Sequence, residues 1–226
     1  MKKKISQKRI FLNGEGDNWL VRNEKNNHKK KLIQFKNILT CIKKIVRKKK
    51  KKKLNVLEVG SSDGKFLEFL RKNFDSCKLF GIDPSKKAIN QLKKKNIKGK
   101  VATADQIPYE KNSMDIIYYG FCLYLCDKSD YKKIFLNAKR VLKKDGYLII
   151  YDFFSKQYKK NKYKHDNRIF SHKMDFRKIF YKDKIFSGLM HKQYEYESGK
   201  ICKNTKNYKK DLVAISIMKK GPILDL

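Results

Sequence analysis

The chain has 226 residues and a formal net charge of +36, with 58 lysines and arginines against 22 aspartates and glutamates. A chain of this length can bury a full hydrophobic core as one domain, and its 40% hydrophobic content excludes a disordered polymer. No apolar run approaches the roughly 20 residues that a membrane helix needs, and the N-terminus lacks the apolar stretch of a secretory signal. We therefore expect a cytoplasmic protein without a membrane span.

The charge does not by itself identify a partner. Only seven of the 58 basic residues are arginines, which nucleic-acid-binding proteins use for bidentate contacts to phosphate and guanine. We therefore favour a lysine-rich composition that solvates the surface, and we leave open a real preference for polyanions such as nucleic acid. The five cysteines form no CxxC pair, which predicts reduced thiols and no metal site.

Residues 1–53 are predicted to form an N-terminal helical segment. Apolar residues between Leu32 and Val46 recur on one face of a helix. The lysine run from Lys48 to Lys53 is interpreted as a solvated linker, with a nuclear signal or a phosphate-binding patch as the alternative.

Strand and helix patterns then alternate along the chain. They predict, in order, a strand at 56–59, a helix at 65–73, a strand in KLFGIDPS, a helix at 86–95 capped by Ser85, strands in GKVATAD and SMDIIYYG, a helix at 129–144 stopped by Asp145-Gly146, and a strand in YLIIYDFF. In residues 155–207 only HKQYEYE alternates weakly, as an outer strand does, and LVAISIMK predicts a last strand. The alternation indicates an open α/β sheet, which binds ligands at the carboxyl ends of its strands.

The stretch NVLEVGSSDGKFLEFL, residues 55–70, passes from the first strand into a helix through two glycines. Gly60 and Gly64 can adopt unusual backbone angles and let a ligand approach the backbone closely, with a plain turn as the alternative. Neither a GxGxxG dinucleotide fingerprint nor a P-loop is present, which weakens a nicotinamide or nucleoside triphosphate interpretation.

Three acidic residues lie within or at the ends of the first three strands. Glu58 lies within the first strand, Asp83 closes the second and Asp105 closes the third. A carboxylate at Asp83 can accept from both ribose hydroxyls of an adenosine, one at Asp105 from an adenine amine, and one at Glu58 can attract an ammonium group. Together they predict a cationic ligand without a phosphate, although each one alone could be a helix cap or a turn residue.

The motifs VLEVGSSDG, FGIDPS, ATADQIP and YLIIYDF, in this order and spacing, resemble those of class I S-adenosylmethionine-dependent methyltransferases of the type-11 group. The resemblance covers residues 54–153, and the last strand near 212–219 is consistent with it. It implies a Rossmann-like, mostly parallel seven-stranded sheet of order 3-2-1-4-5-7-6, with the seventh strand antiparallel and helices on both faces. It also implies a domain at 54–226, an acceptor-side insert at 155–207, and S-adenosylmethionine as the cofactor.

The resemblance further implies which residues line the cofactor. They are Trp19, Arg22, Glu58, Gly60, Ser61, Ser62, Gly64, Asp83, Pro84, Ala104, Asp105, Gln106 and Gly120. Within this set the residues from Glu58 to Gly64 would hold the methionine and ribose part, Asp83 the ribose hydroxyls, and residues 104–106 the adenine edge.

A narrower resemblance concerns the acceptor. GEGDNWLVRN, YYGFCLYLCDKSD and HKMDFRKIF are similar to segments of bacterial methyltransferases encoded beside surface-polysaccharide and nonulosonic-acid genes. This implies that residues 1–53 form a lid, with Arg22 near the cofactor carboxylate. It also implies a small, sugar-derived acceptor such as a nucleotide-sugar or an acidic sugar. For Trp19, the alternative is simple packing of the lid.

Methyl transfer to a hydroxyl also needs a base, whereas an amine needs only to be deprotonated. The candidates are Tyr124, Asp152, His165 and His172, with an ordinary surface position as the alternative for the histidines. RNA methylation, which predicts salt-sensitive RNA binding, and cofactor binding without catalysis both remain open. The chain has no [DNS]PP[YFW] loop and no Pro-Cys pair, so the usual motifs for methylating DNA amines or cytosine C5 are absent.

Overall fold

The computed structural model describes residues 5–24, 28–49, 53–74, 77–181, 183–202 and 211–221. The strands are β1 Leu54–Val59, β2 Cys77–Asp83, β3 Lys98–Val101, β4 Met114–Gly120, β5 Leu142–Phe154, β6 Lys159–Lys162, β7 Phe170–Lys173, β8 Phe186–Glu195 and β9 Leu212–Lys220. The α-helices are α1 Gln7–Ile10, α2 Gly16–Glu24, α3 His28–Lys49, α4 Lys65–Asn73, α5 Lys86–Lys94 and α6 Tyr131–Val141. A π-helical turn, Phe11–Glu15, joins α1 to α2, and 3-10 turns lie at Leu123–Leu125, Lys128–Asp130 and Phe176–Ile179.

Seven strands form one sheet in the order β3-β2-β1-β4-β5-β9-β8, and β6 and β7 form a separate hairpin. Neighbours from β3 to β5 pair in parallel, whereas β9 is antiparallel to both β5 and β8. The predicted α/β class with a mostly parallel sheet is therefore confirmed. The strand numbering differs in one detail, because the hairpin precedes the last two strands of the sheet and shifts their numbers.

Helices cover both faces of the sheet. Successive side chains of a strand point to opposite faces, and in β1 both faces carry buried apolar side chains. Val56 lies in a fully buried cluster with Ile42 of α3 and Leu67 of α4. Its neighbour Leu57 lies in a second buried cluster with Ile134 of α6. The two apolar layers hold the parallel strands so that their carboxyl ends meet along one edge.

Two predicted boundaries are wrong. The helix expected to run to Lys144 ends at Val141, because Leu142 already pairs with Met114 of β4. The strand expected in GKVATAD ends at Val101, because the N–H of Gln106 donates to the Thr103 carbonyl over 3.0 Å and closes a turn. The residues predicted at the end of this strand therefore lie on a loop.

The segment 155–207 has only a weak sequence pattern because its elements are short or lie at the edge of the sheet. It contains the short hairpin β6–β7, a 3-10 turn and the edge strand β8, which includes most of the predicted outer strand HKQYEYE. The lysine run at 48–53 lies mostly outside the described residues, although α3 extends to Lys49. Among the described residues, no helix is long and apolar enough to cross a membrane.

Candidate active site

The turn after β1 places backbone atoms at the carboxyl edge of the sheet. The N–H groups of Gly60 and Ser61 both donate to the Ile82 carbonyl of β2, over 2.9 and 3.0 Å. Gly60 has a φ of 75°, and a Cβ there would lie 2.6 Å from the Cβ of Cys122, which follows β4. Gly64 also has a positive φ, 74°. Glycine is required because the turn passes so close to the neighbouring segment.

Asp83, at the end of β2, holds this turn in place. One carboxylate oxygen accepts from the N–H of Ser62 and the other from the N–H of Ser85, both over 2.9 Å. Burial raises the pKa of Asp83 to about 6; the two N–H groups oppose this shift, while the nearby Asp17 and Asp63 add to it. Each oxygen keeps a lone pair that can accept from a ligand hydroxyl.

Glu58 is a buried acid, 5% exposed, in the strand that precedes the turn. Its Oε2 has no hydrogen-bond partner among the described residues, and neither has the Oγ of the buried Ser61. Burial, together with the charges of Asp63 and Asp83, raises the pKa of Glu58 well above its usual value. Because a buried acid without a counter-charge is costly, these two polar groups fit the ammonium group of an amino-acid ligand.

Asp105 lies in the turn after β3, and both of its carboxylate oxygens have partners. One accepts from the Thr103 hydroxyl over 2.7 Å and the other from the Lys8 ammonium over 2.5 Å. Lys8 also contacts Asp130 over 3.0 Å. An adenine amine at this end of the site would therefore have to share Asp105 with a lysine of the N-terminal segment.

A cavity, partly open to solvent, lies between these loops and the N-terminal segment. Six of the predicted cofactor residues line it: Trp19, Gly60, Asp83, Pro84, Ala104 and Asp105. The lining residues that the sequence did not point to include Lys8, Phe11, Gly16, Cys122, Cys126 and Asp130.

The N-terminal segment is attached over the cavity by a buried glutamine. The side chain of Gln7 donates to the carbonyls of Leu125 and Phe170 and accepts from the Phe170 N–H over 2.6 Å. Its backbone N–H donates to Asp127 over 2.7 Å. One residue therefore joins α1 to the segment after β4 and to the hairpin β6–β7.

A second attachment lies at the start of α2. Asp17 accepts from the Ser85 hydroxyl over 2.5 Å and from the N–H of Lys87 over 3.1 Å, at the N-terminus of α5. A Cβ at Gly16 would lie 3.1 Å from the Ser85 nitrogen, so the small residue permits this close approach. The glycines of GEG were the signal in the sequence that could have indicated this contact.

Trp19 and Arg22, both on α2, occupy different positions. Trp19 lines the cavity, and its carbonyl accepts from the side-chain amide of Asn23 over 2.8 Å. The guanidinium of Arg22 pairs with the buried Glu15 and donates to the Tyr163 hydroxyl over 3.2 Å. Arg22 is not among the residues that line the cavity. Its predicted contact with a cofactor carboxylate therefore stays a prediction.

Of the four candidate bases, Tyr124 lies in the segment after β4, and Asp152 contacts that segment. Asp152 is buried and accepts from the N–H groups of Leu123, Tyr124 and Phe153, over 2.9, 3.3 and 2.8 Å. Burial raises the pKa of Asp152 to about 7 even though these donors lower it. Burial and the adjacent Asp152 raise the pKa of Tyr124 above its ordinary value. The observed role of Asp152 is thus to hold the backbone of this segment.

The two histidines lie in the hairpin region. His172 is buried, 4% exposed, and its Nδ1 lies 2.8 Å from the Tyr158 hydroxyl. His165 is exposed, and its ring packs edge-on against Tyr163, with centroids 5.3 Å apart. Neither lines the cavity.

The remaining predicted cofactor residues do not line the cavity; they are Glu58, Ser61, Ser62, Gly64, Gln106 and Gly120. Gln106 is exposed beyond the turn after β3, and Gly120 ends β4 beneath the ring of Tyr118. Ser62 has a φ of 48° and is half-buried. The described part of the chain contains no group of three or more histidines, cysteines or acids that could hold a metal ion.

The family described as "Methyltransferase domain" matches residues 57–150. A search of curated proteins found no match. Among solved structures, the 1,6-didemethyltoxoflavin-N1-methyltransferase of Burkholderia thailandensis, with bound 1,6-didemethyltoxoflavin and S-adenosylhomocysteine, superposes with a TM-score of 0.68 at 11% identity. It covers 95% of this chain and 87% of that one. An S-adenosylmethionine-dependent methyltransferase from Methanosarcina mazei gives 0.59 at 18% identity, covering 76% and 94%.

A putative methyltransferase of Haloferax volcanii, in complex with the Trm112 methyltransferase activator, gives a TM-score of 0.59 at 15% identity, covering 89% of this chain and 94% of that one. Identities this low establish a shared fold. The family match indicates a methyltransferase activity in addition to the fold. The matched residues 57–150 include the glycine turn, Asp83 and the turn after β3. The buried acids around the cavity fit a cationic, phosphate-free cofactor. Residues 57–150 therefore match a methyltransferase domain, and this match makes the protein an enzyme that uses S-adenosylmethionine as its cofactor.

Proposed function

We propose that the enzyme methylates an oxygen or nitrogen of a small molecule that binds beneath the N-terminal segment. The observation that carries this proposal is the attachment of α1 by Gln7 to two separate parts of the acceptor side, the segment after β4 and the hairpin β6–β7. An edge closed in this way favours a small acceptor over a folded macromolecule.

Within this proposal the polar side chains at and after the first three strand ends hold the cofactor. Glu58 and Ser61 supply unsatisfied polar atoms for the ammonium group, and Asp83 accepts from the ribose hydroxyls. Ala104 and Asp105 border the adenine. When bound, S-adenosylmethionine supplies an activated methyl group on a sulfonium. The protein aligns the acceptor with that methyl group and excludes water, and Trp19 and Phe11 supply apolar cover.

The sugar-derived acceptor implied by the narrower resemblance is one finer form of this proposal. Exposed Lys128 and Lys160, near the hairpin, would suit an acidic sugar or a nucleotide-sugar. The Burkholderia thailandensis neighbour, bound to 1,6-didemethyltoxoflavin, offers a different acceptor chemistry. Bulk RNA is kept as a comparison because of the net charge of +36.

The first experiment is isothermal titration of the full chain with S-adenosylmethionine and S-adenosylhomocysteine. We expect both to bind at one site per chain, with no contribution from added divalent metal. A screen with methyl-labelled S-adenosylmethionine then compares nucleotide-sugars, small aromatic compounds and bulk RNA. Transfer to a small molecule supports the proposal. Salt-sensitive transfer to RNA alone would overturn it, and cofactor binding without any transfer would indicate a non-catalytic protein.

A further inference from the structure

An aromatic surface lies at the acceptor end of the site. We call Trp19, Phe121, Tyr124, Phe153 and Tyr196 the aromatic wall. The ring of Phe153 lies 5.1 Å from Tyr124, 5.4 Å from Phe121 and 5.0 Å from Tyr196, measured between centroids. All five side chains are only half-buried. They come from α2, the segment after β4, the end of β5 and the segment after β8, so tertiary structure alone brings them together.

The aromatic wall reaches the cofactor cavity through Trp19. Trp19 lines the cavity and lies close to the hydroxyl of Tyr124. Phe121 precedes Cys122, which lines the cavity beside Gly60. In the proposed function the orphaned groups of Glu58 and Ser61, in β1 and in the turn after it, hold the amino-acid end of the cofactor, which puts that end on this side of the site. An acceptor in line with the methyl group would therefore meet the aromatic wall.

Phe121 has a strained backbone conformation, which supports a functional role for its position. Its φ is 49°, a left-handed conformation that bulky residues rarely adopt. Its N–H donates to the Tyr151 carbonyl over 2.9 Å, and its ring lies 4.8 Å from that of Tyr151. Such strain persists where the surrounding structure fixes it, and it concentrates at functional sites.

The charged groups near the aromatic wall already have partners. Lys173 lies 5.0 Å from the Phe153 ring centroid and pairs with Asp211 over 2.5 Å. Arg22 pairs with the buried Glu15. These described cations would gain little from an anionic acceptor, because each would first have to give up a carboxylate.

The available bases also favour an acceptor whose hydroxyl loses its proton readily. Asp152 accepts from three backbone N–H groups, and His165 lies exposed on the hairpin. A sugar hydroxyl needs a strong, well-placed base, whereas an aromatic hydroxyl has a pKa near 10 and ionises far more readily. An aromatic acceptor therefore matches both the surface and the chemistry that the described residues supply.

We propose that the acceptor is a flat aromatic or heteroaromatic compound that stacks on the aromatic wall and is methylated on a ring hydroxyl or ring nitrogen. This rests on the proposed function. The lone pair of that oxygen or nitrogen forms the new bond to the methyl carbon, and the C–S bond breaks with its electrons going to sulfur. The acceptor's proton passes to solvent.

The test compares 2-naphthol with its saturated counterpart decahydro-2-naphthol, and with methyl glucuronide. Each is titrated calorimetrically into the full chain saturated with S-adenosylhomocysteine. We expect 2-naphthol to bind roughly tenfold or more tightly than the saturated alcohol. Phe153→Leu and Tyr196→Leu, which keep apolar volume and remove a ring, should each weaken 2-naphthol binding about two- to tenfold.

Two controls separate the possible failures. Phe80→Leu removes a comparable ring, paired with Tyr109 outside the aromatic wall, and should leave 2-naphthol binding unchanged. The affinity of each leucine variant for S-adenosylhomocysteine shows that its fold is intact. Equal binding of the saturated alcohol, tighter binding of methyl glucuronide, or unaffected leucine variants would overturn the inference. If the wild-type chain does not bind S-adenosylhomocysteine, the proposed function itself is contradicted.

Discussion

The two halves of the site are built in different ways. On the proposed cofactor side, each group lies at the end of its own strand or in the loop that follows: the turn with Gly60 after β1, Asp83 at the end of β2, and Asp105 in the loop after β3. On the acceptor side, Phe153 and Tyr196 meet only because β5 and a distant segment converge. The first half uses hydrogen bonds and charge, and the second uses aromatic area. Affinity for the cofactor and choice of acceptor should therefore respond to different substitutions.

The largest effect is expected for Asp83→Ala. Alanine removes the carboxylate that we propose accepts from the ribose hydroxyls, and it frees the N–H groups of Ser62 and Ser85, so the glycine turn also loosens. We expect S-adenosylhomocysteine binding to weaken by about 1–3 kcal/mol, measured by calorimetry. Asp166→Ala, on the hairpin, removes a carboxylate paired only locally with Arg168 and is the matched control. Wild-type affinity in Asp83→Ala would contradict the ribose role.

Lower pH should weaken adenosine binding on the cofactor side alone. The folded pKa of Asp83 is raised to about 6, so its carboxylate protonates as the pH falls through that value and stops accepting from the hydroxyls. We expect 5′-methylthioadenosine to bind roughly tenfold more weakly at pH 5 than at pH 7. This ligand lacks the ammonium group, so the titration of Glu58 does not enter. In Asp83→Asn the affinity should be nearly independent of pH, and a wild-type slope in that variant would assign the effect to another group.

The contrast between the halves also explains what the sequence could predict. The motif around Gly60, and the acids Glu58 and Asp83, are local signals, because a turn and the strand before it are adjacent in the chain. Lys8 and Gln7 carried no signal, since their partners lie 97 to 163 residues away. The aromatic wall was missed for the same reason. Aromatic residues in a tyrosine- and lysine-rich segment resemble ordinary packing until the fold brings them together.

An intermediate effect is expected for Lys8→Met, which tests whether the N-terminal segment belongs to the cofactor side. The change leaves the buried Asp105 and Asp130 without their ammonium partner. We expect the free energy of unfolding to fall by about 1–2 kcal/mol and S-adenosylhomocysteine to bind more weakly. Lys143→Met breaks a similar pair with the buried Asp115, at the other end of the sheet. It should lose similar stability with unchanged affinity. Tighter binding in Lys8→Met would show that Lys8 competes with the adenine for Asp105.

The smallest effect is expected for His165→Ala. This variant tests whether His165 takes part in methyl transfer or only lies near the acceptor side. The side chain is exposed, and the structure shows only a ring contact with Tyr163. Removing it should change thermal stability and S-adenosylhomocysteine affinity by amounts within experimental error, as exposed substitutions usually do. Methyl transfer to any acceptor found in the screen should also be unchanged across pH 6–8. A rate that falls with the imidazole and returns with added free imidazole would make His165 the base and shift the choice of acceptor back towards a hydroxyl that needs one.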